Sequence, residues 1–90
     1  MSNPDKTLAD REVKYGAFGD NANISQRLKD VMESGKSWEA LTDVQAEVLQ
    51  MICTKMSRIL GGDPKYIDNW HDIAGYAKLA EEELGTKREP

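Results

Sequence analysis

The chain has 90 residues, of which 16 are acidic and 12 are lysine or arginine, so its formal net charge is −4. This length suits one domain and leaves no room for a second core. The acidic balance argues against a general nucleic-acid binder, because such proteins present a basic face. We predict a single domain over residues 1–90, with its core at about 8–84 and a flexible polar tail at 86–90. A domain this small is marginally stable by itself, which favours a homo-oligomer.

Cysteine content and hydropathy bear on the compartment. Cys53 is the sole cysteine, so an intrachain disulfide is excluded, and its apolar helical surroundings predict a buried thiol. No apolar run approaches the roughly 18 residues of a membrane span, and the N-terminus lacks the pattern of a signal peptide. We therefore expect a cytoplasmic protein without a membrane partner.

Glycine spacing and apolar periodicity indicate the fold class. Strand-like alternation and Asn-Gly or Asp-Gly hairpin signals do not occur. Glycines instead stand where helices would end, at Gly16, Gly35, Gly61–Gly62 and Gly85. The sequence predicts an all-α fold: a small antiparallel helical bundle of three longer helices plus a short N-terminal helix.

The first half of the chain contains two predicted helices. The first covers residues 4–15, and the second covers 24–34 with Asn23 as its N-cap. Residues 16–23 read as a loop, with Phe18 as its anchor in the core. Apolar residues at helical spacing form the buried stripe of the second helix: Ile24, Leu28, Val31 and Met32.

The third predicted helix begins after Thr42, which forms a capping box with Gln45, and continues to Leu60. At 100° per residue Lys55 falls inside its apolar arc and Arg58 at the edge of that arc. The arc comprises Val48, Leu49, Ile52, Met56, Ile59 and Leu60.

The fourth predicted helix starts after Asp63, with Pro64 in its first turn. Gly75 in its interior costs roughly 1 kcal/mol relative to alanine, which indicates close approach of another helix, a ligand or a second subunit. Its predicted buried stripe comprises Tyr66, Trp70, Ile73, Ala77, Ala80 and Leu84.

Two bases and two acids should meet between the third and fourth helices. A short Gly-Gly-Asp-Pro turn makes these helices antiparallel, which brings Arg58 level with Asp68 and Lys55 level with Asp72. One interpretation is a pair of structural salt bridges, which typically contribute roughly 0–1 kcal/mol when exposed. The other is a binding site, because arginine and lysine together suit phosphate. Asp68 and Asp72 are also weak candidates for Mg²⁺, although acids one turn apart are common on solvated helix faces. We predict no resident metal or cofactor.

Three motifs resemble an uncharacterised family of tailed bacteriophages, prophages and some bacteria. They cover roughly residues 8–80 and read Asp10-Arg11-x3-Tyr15-Gly16, Lys55-x2-Arg58, and Asp68-x-Trp70-x-Asp72-Ile73-Ala74-Gly75-Tyr76. This resemblance implies a phage-encoded protein of the host cytoplasm. It also implies one site formed by Arg11, Tyr15, Lys55, Arg58, Asp68, Asp72 and Tyr76.

The layout is more remotely similar to the MazG-like nucleotide pyrophosphohydrolases, which are all-α, usually dimeric or larger, and dependent on Mg²⁺. That similarity implies a homodimer and nucleotide chemistry. The chain departs from the pattern because the expected Glu-x2-Glu pair is missing and the third helix offers only Glu47 on its polar side.

Three hypotheses follow. The favoured one is a small phage-encoded accessory protein that binds a nucleotide or another phosphate-containing ligand at the edge formed by Lys55, Arg58 and Asp72. The first alternative is a MazG-like, Mg²⁺-dependent nucleotide pyrophosphohydrolase. The second alternative is a protein-interaction module that modulates a host factor, with the polar cluster purely structural.

Overall fold

The described part of the chain folds into four α-helices and one 3-10 turn. A computed structural model describes residues 4–85, and within them no strand occurs, so the all-α prediction is confirmed. The predicted flexible tail at 86–90 lies outside the described residues. The elements are α1 (Pro4–Tyr15), α2 (Phe18–Glu33), the 3-10 turn (Trp38–Ala40), α3 (Asp43–Gly61) and α4 (Ile67–Gly85).

The capping box at the start of α3 is present as predicted. The Thr42 hydroxyl accepts a hydrogen bond from the Gln45 amide at 3.1 Å, and the Gln45 side-chain oxygen accepts one from the Thr42 amide at 2.8 Å. These two bonds satisfy amide groups that have no partner inside the helix. The helix then continues to Gly61, one residue beyond the predicted end.

The prediction for residues 16–23 is wrong, because α2 begins at Phe18 and includes Asn23 as an interior residue. Gly16 has a φ of 83°, and Ala17 is extended (φ −65°, ψ 132°), so the chain reverses within two residues. The glycines and short polar residues of this segment suggested a loop, but tertiary packing overrides their low helix propensity. Phe18 is 85% exposed and does not anchor the segment in the core.

The fourth helix also begins later than predicted. Asp63 caps a turn instead, since its carboxylate accepts from the Lys65 amide at 2.9 Å and its carbonyl accepts from the Tyr66 amide at 3.1 Å. The Trp70 indole N–H donates back to the Pro64 carbonyl at 2.8 Å. This bond holds Trp70 over the connection between α3 and α4.

The buried face of α4 is rotated by about one residue from the predicted stripe. Asn69 is 1% exposed, whereas Trp70 is 51% exposed and Ala77 is exposed. Ile73 and Ala80 are half-buried, as expected of inward residues. The indole bond to the connection accounts for the rotation, because it directs Trp70 outward and leaves Asn69 facing α3.

The α3 helix lies at the centre, with α4 packed on one flank and α2 on another. The Cys53 sulfur lies 3.8 Å from the Met32 sulfur of α2, and Cys53 is buried as predicted. The apolar core is small: in residues 4–85 the buried apolar side chains are Val48, Cys53 and Ile59. Four buried polar side chains accompany them, namely Asn21, Ser25, Ser57 and Asn69.

A glycine junction positions α1 against the end of α3. A Cβ added to Gly16 would lie 2.2 Å from the Gly61 carbonyl oxygen, and one added to Gly62 would lie 2.6 Å from the Lys14 carbonyl oxygen. The Asp63 amide donates to that Lys14 oxygen at 3.1 Å. Backbone therefore packs directly on backbone, which brings the last turn of α1 close to the last turn of α3.

The mid-helix position of Gly75 predicted a close approach by another helix, a ligand or a second subunit. Nothing lies within 4 Å of a Cβ built at this residue, so no described element of the chain approaches it closely.

Candidate functional site

Two arginines from different helices contact one tyrosine ring. The Arg11 guanidinium carbon lies 4.9 Å from the centre of the Tyr15 ring, and that of Arg58 lies 5.0 Å from it. Both separations suit a cation–π contact. The structure therefore brings together Arg11, Tyr15 and Arg58, three of the residues that the sequence motifs implied for one site.

Tyr66 extends this cluster to the connection between α3 and α4. Its ring meets the Tyr15 ring edge to face, with centres 5.6 Å apart, and its hydroxyl donates to the Asp68 carboxylate at 2.8 Å. The hydrogen bond to Asp68, followed by the one with Tyr15, raises the pKa of Tyr66 to about 12. The Lys14 ammonium lies 5.6 Å from the centre of the same ring. Sequence reasoning had assigned Tyr66 to the core only.

The predicted pair between Lys55 and Asp72 is present. The Lys55 ammonium lies 2.8 Å from the Asp72 carboxylate, and the two side chains are 12% and 41% exposed. The hydrogen bond from Lys55 is the largest influence and lowers the pKa of Asp72. Burial is the second largest and opposes it, while the charges of Lys55, His71 and Arg58 add to the lowering. The pair therefore satisfies the lysine that falls inside the apolar arc of α3.

The predicted pair between Arg58 and Asp68 is wrong. Arg58 lies at the Tyr15 ring, and Asp68 accepts its hydrogen bond from Tyr66. The connection between α3 and α4 is longer than predicted, because α4 begins only at Ile67. Tyr66 therefore belongs to the connection, and its hydroxyl takes the place beside Asp68 that was predicted for Arg58.

A cavity of about 320 Å³ opens between α1, α2 and α3. We call it the cationic pocket, because its charged lining residues are Arg11, Lys29 and Arg58 and none of its lining residues is acidic. The protein as a whole carries a net charge of −4, so this concentration of positive charge is local. The other lining residues are Leu8, Tyr15, Gly16, Phe18, Asn21, Ala22, Ser25, Gln26, Thr54 and Ser57.

Buried polar side chains form the inner wall of the cationic pocket. Ser57 is 1% exposed, and its hydroxyl donates to the Thr54 carbonyl at 2.7 Å. The Asn21 amide donates to the Tyr15 carbonyl, which ties the end of α1 to α2. Ser25 is also buried. The Asn21–Tyr15 bond therefore holds together the two helices that carry Lys29 and Arg11.

Lys29 reaches the pocket from α2. Its charge acts on the neighbouring Cys53, where burial raises the pKa of the thiol and the lysine partly offsets that rise. Sequence reasoning missed Lys29 as a site residue. A signal was present, because Asn21, Ser25 and Lys29 recur every four residues and so share one polar side of α2.

The remaining predicted site residues lie outside the cationic pocket. Lys55 and Asp72 form the ion pair, and Asp68 lies with Tyr66. Tyr76 borders a second, shallower cavity of about 300 Å³ on α4, with His71, Asp72, Gly75 and Leu79.

Across residues 4–85, no group of three or more His, Cys, Asp or Glu side chains is arranged to hold a metal ion. In the same part of the chain, no helix combines the length and apolar character that crossing a bilayer requires.

The chain belongs to the family described as a domain of unknown function, DUF6378, which matches residues 4–84. Comparisons with curated proteins and with solved structures give no match. The match spans both the cationic pocket and the Lys55–Asp72 pair, and the description of the family names no activity.

Proposed function

We propose that this protein binds a nucleotide or another phosphate-containing small molecule in the cationic pocket. The observation that carries the proposal is the convergence of Arg11, Lys29 and Arg58 from three helices on one cavity without an acidic lining residue. Each cation comes from a different helix, so local helix charge patterning does not explain their meeting.

The chemistry of the lining suits phosphate joined to a less polar group. Arginine offers a planar fork that can bind two phosphate oxygens, and lysine offers a compact charge. Tyr15, Phe18 and Leu8 provide aromatic and apolar surface beside the cations. The cavity volume of about 320 Å³ lies at the lower end of the range for small-molecule sites, roughly 300–1,000 Å³. A ligand with a single phosphate group fits this size best.

Electrostatics also favour an anion at this position. Arg11 and Arg58 lie about equally close to the Tyr15 ring, so their like charges repel each other. The ring face offsets part of that repulsion, and a bound phosphate would offset more of it. Ligand binding should therefore stabilise the junction of α1 with α3.

The overall arrangement that we propose is an antiparallel bundle. Asn21 lies against Gly61 while Met32 lies against Cys53, which supports opposite directions for α2 and α3. The Lys55–Asp72 contact across the short connection supports the same for α3 and α4. A phage-encoded accessory role rests on the motif resemblance alone.

The two carboxylates that could bind Mg²⁺, those of Asp68 and Asp72, already have other partners. This favours binding without hydrolysis over Mg²⁺-dependent hydrolysis. Asp68 is hydrogen-bonded to Tyr66 and Asp72 is paired with Lys55. Either group would have to exchange its partner for a metal ion. Neither of them lines the cationic pocket.

The test is thermal unfolding with inorganic phosphate, nucleoside monophosphates and nucleoside triphosphates, each with and without Mg²⁺. A ligand at a hundredfold excess over its Kd should stabilise the fold by about 2.7 kcal/mol, which corresponds to a rise in Tm of roughly 10–20 °C. The rise should not require Mg²⁺.

A matched pair of variants on α2 assigns the effect to the pocket. Lys29→Gln should weaken binding by roughly ten- to hundredfold, because it removes one charged hydrogen bond to phosphate. Arg27→Gln removes the same charge from an exposed residue that contacts Asn23 and does not line the pocket. It should leave the affinity unchanged.

Three results would contradict the proposal. The first is the absence of any Tm shift with phosphate ligands, and the second is an equal loss of affinity in both variants. The third is a shift that requires Mg²⁺ and is accompanied by pyrophosphate release, which would favour the hydrolase alternative.

A further inference from the structure

The side of α3 that faces away from the cationic pocket is apolar and uncovered. Leu49 and Met56 are each 38% exposed and Leu60 is 65% exposed. Their spacing of seven and four residues places them in one row along the helix. On the opposite side of α3, Thr54 and Arg58 line the cationic pocket.

A second apolar row runs along α4. Trp70 is 51% exposed and Leu84 is 43% exposed, with the exposed Ala77 between them at intervals of seven residues. Successive residues of a helix are rotated by about 100° around its axis. On α4 this row lies roughly 140° around the helix from Asp72. On α3 the row lies roughly 120° around the helix from Lys55, in the same rotational sense. Because Lys55 and Asp72 face each other across antiparallel helices, both rows come out on the same side of the pair.

The α2 helix adds one exposed apolar side chain, that of Val31, to this side. Val31 is 74% exposed and lies about 160° around the helix from the pocket-lining Lys29. Its neighbour Met32 contacts Cys53, so Val31 is level with the middle of α3. We define the apolar face by six side chains: Val31, Leu49, Met56, Leu60, Trp70 and Leu84.

The size of the apolar face lies at the lower end of the range for protein–protein interfaces. The exposed parts of its six side chains amount to roughly 600 Å², and a standard interface buries about 800 Å² on each partner. An apolar patch of this extent lies at the upper end of what monomeric proteins expose, and patches of that size are often functional.

The small core indicates which partner covers the face. Val48, Cys53 and Ile59 are the buried apolar side chains in the described part of the chain, which is little for a domain of 90 residues. Covering the face would add the apolar burial that this small core lacks. A second copy of the chain is the partner that is present at every moment of synthesis, and a face of this kind can pair with itself around a two-fold axis.

We infer that the apolar face is a homodimer interface, in which two copies of this chain pack their α3 and α4 rows against each other. The cationic pockets lie on the outer sides of such a dimer and stay open. The inference does not depend on what the pocket binds.

The test is sedimentation velocity of the full chain. The wild-type protein should sediment at twice the chain mass of 10.1 kDa, and its Tm should rise with protein concentration, as expected when folding is coupled to association. Leu60→Glu should raise the dimer dissociation constant by about a hundredfold or more, because two carboxylates would be buried at the interface. Leu79→Glu is the matched control: Leu79 is 54% exposed but lies on the other flank of α4 with Asp72 and Gly75. It should leave the dimer intact.

The inference is overturned if the folded wild-type chain stays at 10.1 kDa up to about 100 µM, including the case in which it pairs only with a different protein. It is also overturned if Leu79→Glu dissociates the dimer as much as Leu60→Glu does. If Leu60→Glu fails to fold, the wild-type mass and the concentration dependence of its Tm still decide the matter.

Discussion

At the scale of single residues, two sets of charged side chains beside α3 have different partners. Lys55 and Asp72 neutralise each other between α3 and α4. Arg11 and Arg58 face the Tyr15 ring and the cationic pocket without a carboxylate among the pocket residues. The first set is suited to stabilising the fold, and the second to holding an anion.

The Lys55–Asp72 pair predicts a specific dependence of stability on pH. The pKa of Asp72 is lowered below its ordinary value of 3.8, so the folded state binds this proton less readily than the unfolded state does. The stability contributed by the pair is then fully present above that ordinary value and is lost as the pH falls through the lower pKa of the folded state.

We therefore expect Asp72→Asn to be less stable than the wild type at neutral pH, with the difference shrinking below pH 3.8. Urea unfolding between neutral and acidic pH measures this difference. In a Lys55→Met background the substitution should have a much smaller effect, since the partner is already gone. A difference that stays constant down to the lowest pH would contradict this account.

At the scale of elements, the glycine junction determines how the first two helices meet the third. Gly16 alone among the described glycines has a positive φ, of 83°, and its Cα faces the Gly61 carbonyl. This contact places Tyr15 and Arg11 beside Arg58. The cationic pocket therefore depends on a backbone contact that carries no charge itself.

Two glycines near the same turn should respond in opposite ways to alanine. Gly16→Ala should destabilise the fold by about 2–5 kcal/mol, because it adds a strained backbone conformation and a clash with Gly61. Gly19→Ala should stabilise the fold by about 0.4–1 kcal/mol. Gly19 is helical and has free space around it, and an alanine at this position loses less conformational entropy on folding than glycine does. Denaturant unfolding measures both values, and equal effects of the two substitutions would rule out the junction as described.

At the scale of the whole molecule, α3 separates a polar side from an apolar side. The cationic pocket lies on one side, between α1, α2 and α3, and the apolar face lies on the other. The buried thiol of Cys53 is placed between them, against Met32 of α2. Its accessibility therefore reports on whether α2 and α3 stay together.

Labelling of Cys53 by a thiol reagent should require opening of the α2–α3 contact. We expect the native protein to react at least about a hundredfold more slowly than the urea-unfolded protein, and burial adds to this by raising the pKa of the thiol. A phosphate ligand that engages Lys29 should slow the reaction further, whereas Met32→Ala should speed it. Native labelling as fast as that of the unfolded chain would show that the contact is not maintained.

Structural features that depend on residues close together in the sequence were predictable from the sequence. The limits of α1 and the capping box at Thr42 agree with the sequence prediction because helix ends are set by local hydrogen-bonding groups. The Lys55–Asp72 contact also agrees, since a short connection leaves two adjacent helices little freedom of register. The predicted start of α2 failed, because the loop-like composition after Gly16 was outweighed by packing.

Residue order was enough to predict the all-α class, most helix limits, the burial of Cys53 and the ion pair across the α3–α4 connection. The shared cavity of Arg11, Lys29 and Arg58, the outward direction of Trp70 and the exposed apolar side of α3 became apparent only in the folded molecule. The two groups of features differ in the range of the interactions that produce them. Helix formation and capping act over a few residues, whereas the meeting of three separate helices depends on how closely their backbones approach at Gly16, Gly61 and Gly62.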